Sequence, residues 1–277
     1  MPSKIEAGPR IILSIAGYDP SSGAGVTADI KTAAAHGCYA ITCVTALTVQ
    51  STQGVKRFEP VDTRILTETL EELAADFTIA AVRIGMLGSP EIMRATAAFI
   101  RRHQLKNVVL DPVLKASSGL ELISRNGPQI LKEKLLPLAL VITPNIDEAA
   151  ALTGLPVTNA EEMRIAAVAL HKIGARNVII TGGHLDPPVD LMSLAAGQGI
   201  KLFQGKKISG RSTHGTGCAF ATSLACNLAL GRTLIDSTKA AKQYVANALK
   251  KAVPVGKGRG PVNHFVLLAG AFSGGKY

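Results

Sequence analysis

Residues 10–49 read RIILSIAGYDPSSGAGVTADIKTAAAHGCYAITCVTALTV. An apolar, β-branched run (10–17) leads into a polar, glycine-rich loop. A segment of helical period closed by Gly37 follows, and a second apolar run starts at 39. The same alternation continues outward. AAVRIGML (80–87), NVVLD (107–111), ALVIT (139–143) and NVIIT (177–181) read as buried strands, and the stretches 62–77, 90–103, 126–136, 147–154 and 160–174 read as helices. Strands that are apolar on both sides and separated by helices imply a largely parallel sheet covered on both faces. No internal repeat, low-complexity tract or charged linker interrupts residues 1–277. The Gly/Pro clusters at 17–25, 182–188 and 254–261 are only loop-sized, so one α/β domain is expected.

Composition narrows the function. The 277 residues are 47% hydrophobic, enough for a sizeable core, with 30 Lys and Arg against 20 acids and a formal charge of +10. The basic residues are scattered, the densest groups being Lys201–Arg211 and Lys250–Arg259. With no Trp and 4% aromatics there is little surface for stacking bases, so an anionic small molecule is the expected partner and nucleic acid is not. No uninterrupted run of eighteen apolar residues occurs, and MPSKIEAGPR lacks the apolar core of a secretory signal. The expected location is cytoplasmic, with no membrane association. Cysteines at 38, 43, 218 and 226 form no CxxC pair, which argues for free thiols and against structural zinc.

Polar and unusual residues collect just after the strands: Gly17 and Asp19, Gln50, Gly85-Met86, Asp111-Pro112, Thr143-Pro144-Asn145 and Thr181 to His184. Open α/β sheets bind ligands at the carboxyl ends of their strands. Three glycine loops compete for an anion. GAGVTA (23–28) has the form of a dinucleotide fingerprint, yet no Asp or Glu occurs from Ile30 to Phe58 to hold a ribose, and DPSS lengthens the turn before it. Gly270 to Lys276 has phosphate-loop spacing, but Tyr277 replaces the Ser/Thr and no helix follows. HGTGC (214–218) remains, directly ahead of AFATSLACNLALG, expected as an amphipathic helix whose N-terminal N–H groups receive phosphate. Cys218 then has two readings. It is a small buried hydrophobe, or a thiol whose pKa the helix N-terminus lowers.

IAGYDPSSGAGVTADIKT (15–32), VTALTVQSTQGV (44–55), IGML (84–87), VVLDPV (108–113), ITPNIDEAAAL (142–152), GGH (182–184), THGTGC (213–218) and VGKGRGPVNHF (255–265) together resemble the hydroxymethylpyrimidine/phosphomethylpyrimidine kinases of thiamin synthesis. The resemblance runs nearly end to end. It implies a ribokinase-like, three-layer α/β/α domain with a mostly parallel central sheet. It also implies an ATP- and Mg²⁺-dependent phosphotransferase acting on 4-amino-5-hydroxymethyl-2-methylpyrimidine and then on its monophosphate. Carried over by motif, Gly17, Asp29, Gln50, Met86 and Val113 surround the pyrimidine, with Gln50 and Asp29 supplying hydrogen bonds. Gly215, Thr216, Gly217 and Cys218 form the catalytic loop, with Cys218 as base. Asn145, Thr181 and Lys257 lie toward ATP, and Asp111 and Glu148 toward the metal, largely through water. A homodimer is expected.

The chain departs from the family's usual pattern at Ser22, at Leu114-Lys115-Ala116-Ser117, and at Thr181, where a lysine commonly precedes GGH. Two other readings stay open. One is a pyridoxal kinase of the same superfamily. The other is a catalytically silent vitamin- or nucleotide-binding protein on the same fold.

Overall fold

The computed structural model describes residues 8–116, 118–124, 126–195 and 199–268. The Gly270–Lys276 motif lies outside them. One nine-stranded sheet holds the strands in the order β3-β2-β1-β4-β5-β6-β7-β8-β9. These are β1 (Ile11–Tyr18), β2 (Tyr39–Ser51), β3 (Gly54–Pro60), β4 (Ile79–Ile84), β5 (Val108–Leu110), β6 (Val141–Ile142), β7 (Val178–Ile180), β8 (Val189–Ser193) and β9 (Ile200–Gln204). From β2 through β7 every neighbouring pair is parallel, while β3, β8 and β9 pair antiparallel at the two edges. The helices are α1 (Gly25–Ala35), α2 (Thr63–Asp76), α3 (Pro90–Arg102), α4 (Gly127–Ile130), α5 (Ile146–Thr153), α6 (Ala160–Ile173), α7 (Thr216–Ala229) and α8 (Leu234–Lys250).

Period-two geometry sends successive strand residues to opposite faces, and each face carries its own core. Leu13, Ile15, Val82, Ile84, Val108, Leu110, Val178 and Ile180 pack with Leu66, Leu70, Ile92, Ala149 and Met163 of α2, α3, α5 and α6. Ile12, Ala81, Val109, Val141 and Ile179 pack with Ala33 of α1, Ala221 and Leu224 of α7, and Tyr244 of α8. The result is the three-layer α/β/α arrangement that the resemblance implied.

The six strands read from the sequence are all present, and they include the whole parallel core. The three edge or antiparallel strands were not anticipated. β3 carries Lys and Arg and β9 carries Lys among their apolar residues, as edge strands do, so neither shows the unbroken apolar run of the buried strands. The expected helix at 126–136 breaks into α4, a π-helical turn at Leu131–Leu135 and a 3-10 turn at Leu136–Leu138. Pro137 lacks the N–H that would continue an α ladder.

α7 corrects another expectation. Every residue from Ala219 to Ala229 is buried, so this helix is not amphipathic but enclosed by the sheet, α1 and α8. Ala, Ser, Thr and Cys make such close approach possible, and its polar groups are satisfied internally. Thr222 Oγ1 donates to Asp29 Oδ1 at 2.6 Å, and Asn227 Nδ2 donates to Ser223 O at 2.7 Å.

Candidate active site

Strand order reverses at β1, which lies between β2 and β4, and this is the switch point at which parallel sheets open a crevice. The chain leaves β1 at Gly17–Asp19, β4 at Gly85–Met86, β5 at Asp111, β6 at Asn145 and β7 at Thr181, all at carboxyl ends. Gln50 lies near the end of β2. Gly17 packs against Met86, where an added Cβ would come within 3.0 Å of the Met86 sulfur, and the Thr45 hydroxyl holds the Met86 carbonyl at 2.5 Å.

The loops after β1 and before α7 close on each other. Gly215 has φ +80°, and a Cβ there would overlap the carbonyl oxygen of Gly23, so only glycine permits the crossing. Asp19, 3% exposed, ties the two loops. Its Oδ1 accepts from Ser21 N (2.8 Å) and Ser21 Oγ (2.7 Å), and its Oδ2 from Gly23 N (3.1 Å), Ala24 N (2.9 Å) and His214 Nε2 (2.8 Å). Burial works to raise the Asp19 pKa, but hydrogen bonds from His214 and Ser21 outweigh it and hold the carboxyl below its ordinary value. At the mouth of α7 the first-turn N–H groups have no helical partner. An added Cβ at Gly217 would meet nothing within 4 Å among the described residues, so the loop is open beside this first turn.

Behind this loop lies an ion cluster that the sequence reading missed. Arg83 is fully buried on β4, its Nη1 3.1 Å from Asp29 Oδ2 and its Nη2 2.7 Å from Asp111 Oδ2. Its Nε has no partner among the described residues. Burial disfavours the guanidinium charge, yet Asp29, Cys218 and Asp111 around it more than offset that and keep it cationic. The signal was a lone arginine inside the apolar run AAVRIGML, since a charge in a covered strand must be paired.

Asp29 was expected to bind the pyrimidine. It is 0% exposed instead, and its carboxylate is occupied by Ser14 Oγ (2.5 Å), Thr222 Oγ1 (2.6 Å) and Arg83, which corrects that expectation: it anchors β1, β4 and α7 to one another. Cys218 is likewise not a low-pKa thiol. Burial pushes it up to about 11, with the nearby carboxylates adding to the rise and Arg83 opposing it, so desolvation wins over the helix N-terminus.

On the other side of the crevice, Asn145 caps α5. Its Oδ1 accepts from Glu148 N at 2.9 Å while Glu148 Oε2 accepts from Asn145 N at 3.0 Å, a reciprocal capping box. Burial, followed by the charge of Asp111, pushes the Glu148 carboxyl up to about 8. Thr181 bridges to Asn145 and donates its N–H to Pro144 O at 2.9 Å, so these two expected nucleotide residues do come together. Val113 is half-buried two residues beyond Asp111. Lys257 is exposed in a loop tied to the β2–β3 turn, where Gly258 N donates to Thr52 Oγ1 (3.1 Å) and Arg259 N to Thr52 O (2.8 Å). Lys115 pairs with Glu121 at 3.7 Å on the surface. Cys38, Cys43 and Cys226 are buried free thiols.

The sequence pattern of the phosphomethylpyrimidine kinase family matches residues 19–263, from the aspartate that ties the two loops through the loop beyond α8. The chain belongs to that family. It is similar to the hydroxymethylpyrimidine/phosphomethylpyrimidine kinase of Haemophilus influenzae, 41% identical over 92% of this chain and 96% of that protein. It is also 41% identical to the thiamine biosynthesis bifunctional protein ThiED of Geobacter sulfurreducens, over 92% of this chain but only 52% of that longer protein. Among solved structures it superimposes on the ADP complex of Bacillus subtilis pyridoxal kinase with a TM-score of 0.86 at 32% identity, covering 95% of this chain and 100% of that one. A phosphomethylpyrimidine kinase from Clostridium difficile gives 0.77 at 33% identity, covering 87% and 100%. As a member of a kinase family the protein is a phosphotransferase with ATP as co-substrate. Among the described residues, no helix is long and apolar enough to cross a membrane.

Proposed function

We propose that this protein phosphorylates the hydroxymethyl group of 4-amino-5-hydroxymethyl-2-methylpyrimidine from ATP, and then phosphorylates the monophosphate to the pyrophosphate. The observation that carries the reading is the HGTGC loop, whose glycines put the head of α7, with its unpaired first-turn N–H groups, at the loop that crosses Gly23 of the β1 loop. Phosphoryl transfer needs chiefly positioning and charge stabilisation, which such donors supply to both steps. Gln50, Met86, Gly17 and Val113 surround the acceptor in this reading. Asn145, Thr181 and Lys257 lie toward the nucleotide.

Asp111 and Glu148 suit Mg²⁺ held largely through water. They are two mutually repelling carboxyls, of which Asp111 is also paired with Arg83. When bound, the ion would neutralise charge on the phosphates. The chain reads as a single domain, cytoplasmic and homodimeric. Leu47 and Val49 of β2, exposed at 57% and 47%, offer apolar surface for a second copy.

In this reading Cys218 is the group that takes the proton of the acceptor alcohol. Only the thiolate can take that proton, and burial, which pushes the thiol up to about 11 despite Arg83 beside it, makes the thiolate the minor form at neutral pH, so the alcohol step is expected to speed up as pH rises. A monophosphate acceptor is already largely anionic at neutral pH and needs no base. A second reading, pyridoxal kinase, draws on the superposition with the Bacillus subtilis enzyme.

Side-by-side turnover of the pyrimidine alcohol, its monophosphate and pyridoxal separates them, and pyridoxal as the sole good substrate overturns the proposal. In single-turnover assays, Cys218→Ala is expected to slow the alcohol step by about 10²–10⁴-fold and the monophosphate step far less. Equal losses would make the thiol a packing group.

A further inference from the structure

His214 stands between the acceptor side of the crevice and the anion loop. Its Nε2 is 2.8 Å from Asp19 Oδ2 and 3.1 Å from the amide atom placed as Gln50 Nε2, and the next residue is the left-handed Gly215 that starts the loop. The ring is only 13% exposed, so these neighbours decide its hydrogen positions. Asp19 Oδ2 is an acceptor already served by two backbone N–H groups, and its carboxyl is held below its ordinary pKa. The ring nitrogen facing it therefore carries hydrogen. A ring N–H directed at this corner can be shared with Gln50 only if the amide turns its oxygen, not its NH₂, toward His214.

The opposite end of the same amide gives an independent answer. It lies 3.1 Å from Thr48 Oγ1, and that hydroxyl has a single hydrogen, which has a shorter partner in the Tyr18 carbonyl at 2.9 Å. Once the hydroxyl donates to Tyr18, Thr48 Oγ1 offers only lone pairs, and the amide group facing it must be the NH₂ donor. Both neighbours therefore select one amide orientation, oxygen toward His214 and nitrogen toward Thr48, the reverse of the placed one, since the two amide ends differ only in which atom is called O and which N.

We infer that His214 is a positioning residue that fixes the Gln50 amide in this orientation and thereby sets which hydrogen-bonding edge of the acceptor ring the site reads. The inference rests on the proposed function for its substrate. In that reading the amide oxygen keeps a lone pair and the nitrogen keeps a hydrogen for the ligand. An exocyclic amine beside a ring nitrogen, as in a 4-aminopyrimidine, presents donor and acceptor in complementary order. The 4-oxo analogue presents N–H and C=O in the reverse order. To bind, it must turn its ring over and carry the hydroxymethyl group away from the HGTGC loop. Because Gly23 has no side chain, the His214 ring lies directly against it, so the amide, the Asp19 loop and the anion loop share one support.

The test is the ratio of kcat/KM for the 4-amino alcohol to that for its 4-oxo analogue, in wild type, His214→Phe, His214→Gln and Thr48→Val. His214→Phe is expected to shrink the ratio at least tenfold, mainly through KM. His214→Gln, which retains an N–H donor, should restore part of it. Thr48→Val releases the other end of the amide and also gives up the bond to the Tyr18 carbonyl, but it leaves His214 and Asp19 in place, so a narrowed ratio there supports the inference even if His214→Phe folds poorly. Both substrates losing activity in parallel in the folded variants, with the ratio unchanged, would overturn it. Neutron diffraction of the perdeuterated free protein reads the same orientation without any substrate. Deuterium on His214 Nε2 and an ND₂ group facing Thr48 are expected, whereas ND₂ facing His214 sinks the idea. If the wild type turns over neither pyrimidine, the substrate assignment fails while the neutron result still decides the amide orientation.

Discussion

At the carboxyl ends of β1, β2 and β4, the chain reaches across most of its length to make the site. Asp19 meets His214 over 195 residues, and Asp29 meets Thr222 over 193. At the ends of β6 and β7 the corresponding contacts are local or between adjacent strands: Asn145 with Glu148 three residues on, and Asn145 bridged to Thr181. The acceptor and anion-loop side thus depends on charges buried between layers. The nucleotide side depends on a helix cap and one strand-end bridge. The first kind of support collapses when one partner is removed, because an unpaired charge is left without water. The second loses little more than a hydrogen bond.

Mutations that break these supports are expected to rank accordingly. Arg83→Met strips the partner from two carboxylates at once, Asp29 being fully buried and Asp111 nearly so. A loss of about 3–5 kcal/mol in denaturant unfolding is expected. A loss under 1 kcal/mol would show that the cluster is relieved by solvent and that the contrast between the two sides is false.

Asp19→Asn comes next, with about 1–3 kcal/mol expected from weakened bonds to Ser21, Ala24 and His214. The Asp19 pKa is lowered in the folded protein, so its stabilisation is fully present above the unfolded-state value near 3.8 and disappears as pH falls through the folded-state value. The stability gap between wild type and Asp19→Asn should therefore hold level near neutrality and close below about pH 4. A gap independent of pH down to acid unfolding would remove the carboxylate from the account. Asn145→Ala should cost least, about 1 kcal/mol in thermal or denaturant unfolding, since it deletes one half of a capping box. A cost matching that of Arg83→Met would erase the distinction.

The same contrast explains what was legible beforehand. Asn145-x-x-Glu148 carries the pattern of a capping box in four consecutive residues. The HGTGC loop announced itself by two glycines ahead of a helix, and the helix does begin there. Nothing local distinguishes an aspartate that faces a ligand from one that is closed in by Ser14, Arg83 and Thr222, which is why Asp29 was assigned to the substrate and proved to be an anchor. The Cys218 thiol failed for a related reason. The helix N-terminus is visible in the sequence, but the desolvation that outweighs it is a property of the assembled layers.

Residue order alone determined the βα alternation, the parallel core from β2 to β7 and the gathering of polar residues at its carboxyl edge. These follow from side-chain periodicity, glycine geometry and the short reach of strand-to-helix turns. Only the tertiary structure decided which charges are sealed in, that α7 is enclosed on all sides, and that His214 lies against Gln50 and Asp19. Burial and hydrogen-bond partnership depend on what packs from distant parts of the chain, and those terms set the pKa and orientation of each group in the site.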